Sequence, residues 1–465
     1  MSRRPIYMKN RNSSYLLIIA LLLGLIFVVY GYNKNFSLQS LVENSELKGR
    51  SFAGKVEEIM SPKSQIKAYF MQQNEVPIVA ISFIFADTGS AYDEMGKKGI
   101  ASLVGSTITD GTMLKSADTI RDETGIKGIS ISFGSSKDSI SGSLVTPKEY
   151  LEDAIVLLKD ILTKPKFEKK YLEVAKAQVI KALEVEKENP VKELSLANDK
   201  LVFGNHEYAQ NPLGNKQDVL NISQTDLRNF VKERLAKDNL YVGVAGDLTN
   251  DDAKFVIDEI FGGLRDKKQG KKIDNVELNF NQPVLEINRK DGQNIVSFTT
   301  EGTCRKCEDF YPLYIANHIF GGVGLNSKLN QKIREKEGLT YGAYSAMILT
   351  DKANLLTAGF STTKDNFEKA VSMFKNEWKS YAQSGFSKED VDFAKDYLIA
   401  SYNLRFASIS GIADILVMQQ KMDLGLDFLS KRNDYVKSVS VEAVNQALKK
   451  YFTDKMLQAQ IGNFN

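Results

Sequence analysis

The chain has 465 residues, more than one ordinary hydrophobic core accommodates and enough for two to four domains. Its 61 basic and 58 acidic residues leave a formal charge of +3, a balance that gives no support to nucleic acid or any strongly charged partner. With 43% hydrophobic and 26% charged residues the composition is that of a globular protein, and two cysteines and two histidines leave little room for metal or thiol chemistry.

Residues 1–14 carry Arg3, Arg4, Lys9 and Arg11 and no acid, and an apolar run from Tyr15 to Tyr30 follows. That run is close to the lower limit of roughly 17–20 residues for a membrane-crossing helix. A cleaved signal peptide is the rival reading, but the run ends in Tyr30-Gly31-Tyr32-Asn33-Lys34, without the small-x-small site that cleavage needs. The expectation is therefore a cytoplasmic basic segment over 1–14, an anchor or uncleaved signal over 15–32, and a polar stalk over 33–60. The positive-inside rule places the bulk outside the cytoplasm as a single-pass membrane protein, on the periplasmic side in a Gram-negative cell.

From residue 61 the pattern is mixed α and β. Val76–Phe85 is an apolar, β-branched run that predicts a buried strand, and Gly99–Ser106 (GIASLVGS) predicts a helix of small residues. Gly128–Phe133 and Ser139–Val145 predict a strand pair. Tyr150–Leu162 and Phe167–Glu188 have helical spacing, punctuated by Pro165 and Pro190.

The second half replays this order. Ile120–Ile126 (IRDETGI) aligns with Ile333–Leu339 (IREKEGL), residues 143–162 with 360–378, and Phe167–Lys176 with Phe386–Lys395. Three blocks in one order at a nearly constant offset predict two homologous α+β domains, 61–264 and 284–465, joined by a charged linker over 265–283. The period is far too long for a solenoid.

One stretch of the second half combines a cation with a phenol. Leu325–Tyr344 (LNSKLNQKIREKEGLTYGAY) predicts a polar-amphipathic helix ending at Gly338 and a turn into a strand, with Arg334 near the helix end and Tyr341 past the turn.

With these motifs the chain resembles the M16 family of zinc metallopeptidases, the insulinase, pitrilysin and mitochondrial processing peptidase group, over about residues 65–462. It is most similar to the short bacterial members that work as pairs of two-domain subunits. SKLNQKIREKEGLTYGAYS (327–345) resembles the family's second-domain signature, and FYPLYIANHIFGG (310–322) matches the helix before it. FGNHEYAQNPLGN (203–215) and GIASLVGSTITDGT (99–112) resemble first-domain segments, the latter the metal helix. The resemblance implies two LuxS/metalloprotease-like domains, each a mainly antiparallel sheet packed with helices.

The metal helix departs from the family. Its inverted motif, His-x-x-Glu-His, puts two zinc ligands on one helix face with the general base beside them. Here Ser102, Gly105 and Ser106 occupy those places, and Glu184 is the nearest carboxylate to the expected position of the remaining ligand. A catalytic zinc site typically needs three His, Glu or Cys ligands. The first domain holds one histidine and no cysteine, so no metal and no catalytic residue is expected in this chain.

Arg334 and Tyr341, by contrast, stand at the family's spacing, and the resemblance implies that they contact substrate beside a metal held elsewhere. The first half keeps Arg121 but has Gly128 where Tyr341 sits. The resemblance thus implies the Arg/Tyr subunit of a heterodimer whose partner carries the zinc, acting on peptide or unfolded polypeptide. The alternative is a pseudopeptidase used only for assembly or polypeptide binding.

Cys304-Arg305-Lys306-Cys307 reads as a local disulfide or inert thiols before a redox pair or an adventitious metal site. His206 reads as structuring its loop before touching substrate, and His318 as a core or capping residue. Gly321-Gly322-x-Gly324 lacks the context of a phosphate loop and reads as a flexible turn. Lys267–Lys272 reads as solvated linker.

Overall fold

The computed structural model describes residues 54–464, apart from 283, 291 and 323. The expected anchor over 15–32 lies outside the described residues. Among the described residues, no helix is long and apolar enough to cross a membrane.

The first repeat opens with β1 (Glu57–Met60), β2 (Lys67–Gln72), β3 (Ile78–Ala86), α1 (Ile100–Thr107) and α2 (Ala117–Lys127). A hairpin of β4 (Ser130–Ser135) and β5 (Ser139–Pro147) leads to α3 (Leu151–Thr163), α4 (Lys169–Glu188) and α5 (Pro190–Phe203). It closes with α6 (Lys216–Asn221), α7 (Gln224–Arg234), β6 (Leu240–Gly246) and α8 (Asn250–Phe261). The second repeat runs β7 (Val284–Asn288), β8 (Asn294–Glu301), α9 (Phe310–Asn317), β9 (Ala343–Leu349) and β10 (Asn354–Thr362). Then come α10 (Phe367–Ser384), α11 (Lys388–Tyr402), α12 (Ile409–Lys421), α13 (Phe428–Ser438), α14 (Val441–Tyr451) and β11 (Leu457–Gly462).

Two sheets result, ordered β1-β2-β6-β3-β5-β4 and β7-β11-β8-β10-β9. Apart from β1, the two orders correspond strand for strand. Each sheet has one parallel pair, β2 with β6 and β11 with β7, and the other pairs are antiparallel. The mixed α+β architecture and its internal repeat are those that the sequence predicts.

The apolar run of β3 reflects burial on both faces, since a sheet covered on one side shows alternation instead. On one face Ile81, Phe83 and Phe85 join a core with Leu103, Leu158, Leu227 and Ile257 from α1, α3, α7 and α8. The other face is covered from the distant half: Ile412, Ala413 and Leu416 of α12 pack on Tyr69, Met71, Ala80 and Ala245. The exchange is reciprocal. Leu194 of α5 packs on Ala459 and Ile461 of the second sheet, and Thr299 Oγ1 donates to Asn198 Oδ1 at 3.1 Å. Polar contacts fix the register of α12 as well: Gln420 Oε1 accepts from Val242 N at 2.7 Å, and its Nε2 donates to Lys67 O at 2.9 Å.

The connection over 265–283 lies against the body. Lys268 pairs with Asp87 at 2.8 Å and Lys271 with Glu207 at 3.0 Å, while Ile273 and Phe280 are buried beside Tyr92 and Tyr208. The charge run expected to be solvated is thus partly docked, because the acids on the first repeat's surface pair with it.

Candidate functional site

The predicted metal helix is α1. Asp93 anchors its start, Oδ2 accepting from Gly99 N at 2.8 Å and Oδ1 from Ala101 N at 3.3 Å. Burial nevertheless pushes the Asp93 carboxyl up to about 7. Ser102 is half-buried and Ser106 exposed, with Ser106 Oγ donating to Leu103 O at 3.2 Å. At Gly105 an added Cβ would lie 3.2 Å from Gly134 C and 3.3 Å from Ser135 N, so α1 rests almost directly on the backbone of β4. A side chain at that position requires the neighbouring strand to give by a few tenths of an ångström. Glu184 is exposed and lies 3.8 Å from Lys181. Among the described residues no group of three or more His, Cys, Asp or Glu is placed to hold a metal ion. The residues present do not fit zinc.

The second-half motif is built differently from expectation. The polar helix before Gly338 is π-helical over Asn330–Lys336, and Gly338 closes it at φ +64°. Asn330 ties this segment to the next strand: its Oδ1 accepts from Ala343 N at 2.9 Å and its Nδ2 donates to Ala343 O at 2.7 Å. The same amide reaches Gly324 O at 2.6 Å, and Thr340 Oγ1 donates to Ser361 O at 2.7 Å. Asn330 and Thr340 are both buried. They fix the turn between Arg334 and Tyr341, and nothing in their sequence context announced it, because their partners lie 13 and 21 positions away.

Around this scaffold several charges are spoken for. Lys328 pairs with Asp390 at 2.6 Å, and Glu337 with Lys369 at 2.9 Å, which holds the Glu337 carboxyl below its ordinary range. Arg334 is half-buried and Tyr341 is 84% exposed. Among the described residues neither side chain has a hydrogen-bond or ion-pair partner, a condition shared by the neighbouring Glu335 and Lys336. The first-half counterpart Arg121 is engaged, by Asp118 and by the Tyr171 ring 5.8 Å away.

A cavity of about 690 Å³ lies between α5 and the inner face of the second sheet, bounded by Leu194, Asn198, Tyr344, Thr357 and Phe360. It reaches Gly342, yet neither Arg334 nor Tyr341 lines it.

The NHEY segment serves the junction of the two halves. His206 Nδ1 accepts from Tyr208 N at 3.1 Å, and Nε2 lies 3.0 Å from Asp274 O. Buried Tyr208 donates to Asp138, whose other oxygen accepts from Asp351 N at 3.2 Å; Lys352 N donates to Tyr208 Oη at 3.1 Å. His318 is buried against Tyr397, the ring centroids 5.0 Å apart. Gly321, expected in a flexible turn, is buried in a π-helical turn over His318–Gly322. Cys304 and Cys307 form a disulfide with Cα atoms 5.2 Å apart.

Two family models match the chain: the insulinase model of peptidase family M16 over residues 70–213, and the peptidase M16 inactive domain over 221–398. Together they span more than half of it. A "Non-peptidase homolog YmxG" of Helicobacter pylori is 25% identical over 398 residues, 83% of this chain and 89% of the relative. An "Uncharacterized zinc protease YmxG" of Bacillus subtilis is 21% identical over 384 residues, 81% and 91%. Among solved structures, a peptidase M16 inactive domain from Pseudomonas fluorescens superposes with a TM-score of 0.82 at 25% identity, covering 88% of this chain and 98% of that one. With two matched sheets, a metal helix without ligands and these likenesses, the chain belongs to the M16 insulinase peptidase family.

Proposed function

We propose that this protein is the non-catalytic subunit of an M16-type zinc metalloendopeptidase, positioning peptide substrate for a zinc-bearing partner subunit. The reading rests on the pair Arg334 and Tyr341, accessible, without partners among the described residues, and set on a turn that buried Asn330 and Thr340 hold in place. A scaffold has no chemical need to keep a solvated tyrosine on so constrained a turn. A guanidinium and a phenol both donate to a scissile carbonyl or its oxyanion, which is where such donors lower a barrier. The partner supplies metal, ligands and general base, and residues 15–32 tether the pair to the membrane.

The second reading is a pseudopeptidase that only assembles or binds polypeptide, and the relative named a non-peptidase homologue favours it. Co-expression with an M16 chain bearing His-x-x-Glu-His separates the two. Under the first reading the complex cleaves peptides, and Arg334→Ala or Tyr341→Phe lowers kcat/KM by about 10²-fold, the scale of a lost oxyanion donor. Undiminished cleavage in both variants favours the scaffold. Metal analysis of the chain purified alone should find no stoichiometric zinc; near one zinc per chain would overturn both readings.

A further inference from the structure

A second cavity, of about 640 Å³, lies where the chain crosses from α11 to α12. Its size falls within the roughly 300–1,000 Å³ of small-molecule sites. Three arginines line it, from three separate segments: Arg305 before α9, Arg405 between α11 and α12, and Arg432 of α13. Among the described residues none of the three forms an ion pair. Asp414 is the one acid on the wall among the described residues, and its Oδ1 accepts from Ser82 Oγ at 2.5 Å.

Arg432 is the telling member. It is 4% exposed, and its Nη1 has only neutral acceptors, Leu398 O at 2.8 Å and Asn433 Oδ1 at 3.0 Å. The Tyr402 ring lies 4.1 Å from its guanidinium carbon. A buried guanidinium without a counter-ion is costly to maintain, and aromatic faces offset only part of that cost. Arg305 is held in the same manner, its guanidinium carbon 4.1 Å from the Phe310 ring centre and 5.2 Å from that of Phe428, with Nη2 donating to Tyr311 Oη at 3.3 Å. The Cys304–Cys307 disulfide brackets Arg305 and restricts the loop that carries it. One further lining residue, Gln419, has its Oε1 buried without a partner among the described residues, while its Nε2 donates to Gly425 O at 2.6 Å. That carbonyl fixes which end of the amide is the acceptor.

We propose that this cavity binds an amphipathic carboxylate, its head group held among Arg305, Arg405 and Arg432 and its aromatic or aliphatic body against Tyr311, Tyr402 and Phe428. The planar guanidinium fork matches a carboxylate, and aromatic walls both lower the local dielectric and stack an apolar body. The unpartnered Gln419 oxygen is suited to an amide N–H next to that carboxylate, the arrangement of an acylated amino acid or a peptide C-terminus. The proposal is independent of Arg334, Tyr341 and any zinc-bearing partner.

Isothermal titration of the full chain with N-acetyl-L-phenylalanine tests it. Saturable one-site binding is expected, at least ten-fold weaker for N-acetyl-L-phenylalaninamide, which lacks the charge. Arg305→Gln and Arg405→Gln, on half-buried and exposed residues that leave buried Arg432 in place, should each weaken binding at least five-fold, and Tyr341→Phe should leave it unchanged. Cys304→Ser/Cys307→Ser should weaken it at least three-fold. Gly-Gly-Phe with a free C-terminus distinguishes the sources: ten-fold tighter binding than the acetylated amino acid assigns a peptide end, and weaker binding a free acid. Absence of saturable binding by either carboxylate, or equal binding of acid and amide, would overturn the proposal.

Discussion

Burial pulls the His318 imidazole down to about 4 from its ordinary 6.5, and among the described residues its Nε2 has no hydrogen-bond partner. Between these values the unfolded chain binds a proton that the folded one refuses. The stability this residue preserves is therefore complete above pH 6.5 and is lost as pH falls toward 4. At 1.36 kcal/mol per pKa unit, the loss between pH 7 and pH 5 is about 2 kcal/mol. Asp93 works in the opposite sense: its raised carboxyl keeps its proton when folded, so its share of stability declines as pH rises from 3.8 toward 7. The two partly cancel in the whole protein. Chemical denaturation of His318→Leu beside the unaltered chain isolates the first: the difference in stability should shift by about 2 kcal/mol between pH 7 and 5, and an unchanged difference would show that His318 is protonated in the fold. His318 and His206 were legible as structural residues, because each signal lies within a few consecutive positions. Asn330, Arg432 and Tyr208 were not legible, since what defines them is a partner 13, 34 or 70 positions away.

The seating of α12 on β6 is where an element depends on one atom's absence. A Cβ at Gly243 would lie 2.4 Å from Ala413 O and 2.6 Å from Val417 N, backbone atoms that cannot swing aside. Gly243→Val should therefore destabilise the protein by about 2 kcal/mol or more, the scale of overpacking a well-filled interior. Gly125, in α2, has nothing within 4 Å of its notional Cβ. Gly125→Ala should raise stability by about 0.5–1 kcal/mol, the helix preference of alanine over glycine. Thermal melts of both variants check the pair, and a destabilised Gly125→Ala would mean that α2 is not helical there. Helices and strands were legible through their periodicity and through the repeat, which lets each half vouch for the other. The π-helical geometry at Asn330–Lys336 was not, because side-chain spacing alone does not separate i→i+4 from i→i+5 hydrogen bonding.

At the scale of the molecule the repeat predicted two similar halves, and apart from β1 the two sheets have the same strand order. Sequence could not say that the halves trade helices, since a contact such as Ser82 to Asp414 spans 332 positions and carries no local mark. Proteolytic nicking within residues 265–283 should leave the two fragments associated and folded. Residues 54–264 produced alone should aggregate, because Met71, Ala80 and Ala245 lose the cover of α12. A monomeric, cooperatively melting 54–264 fragment would refute this.

The trade of α5 for α12 has a mechanical consequence. Each half covers apolar surface of the other's sheet, so parting the two exposes core residues of both. A single melting transition is the expected outcome for residues 54–464, and two separate transitions would show that the halves unfold independently. Under the proposed function, an aperture that admits polypeptide would form where this body meets the zinc-bearing partner, and the rate of substrate entry should then depend on association between the two chains.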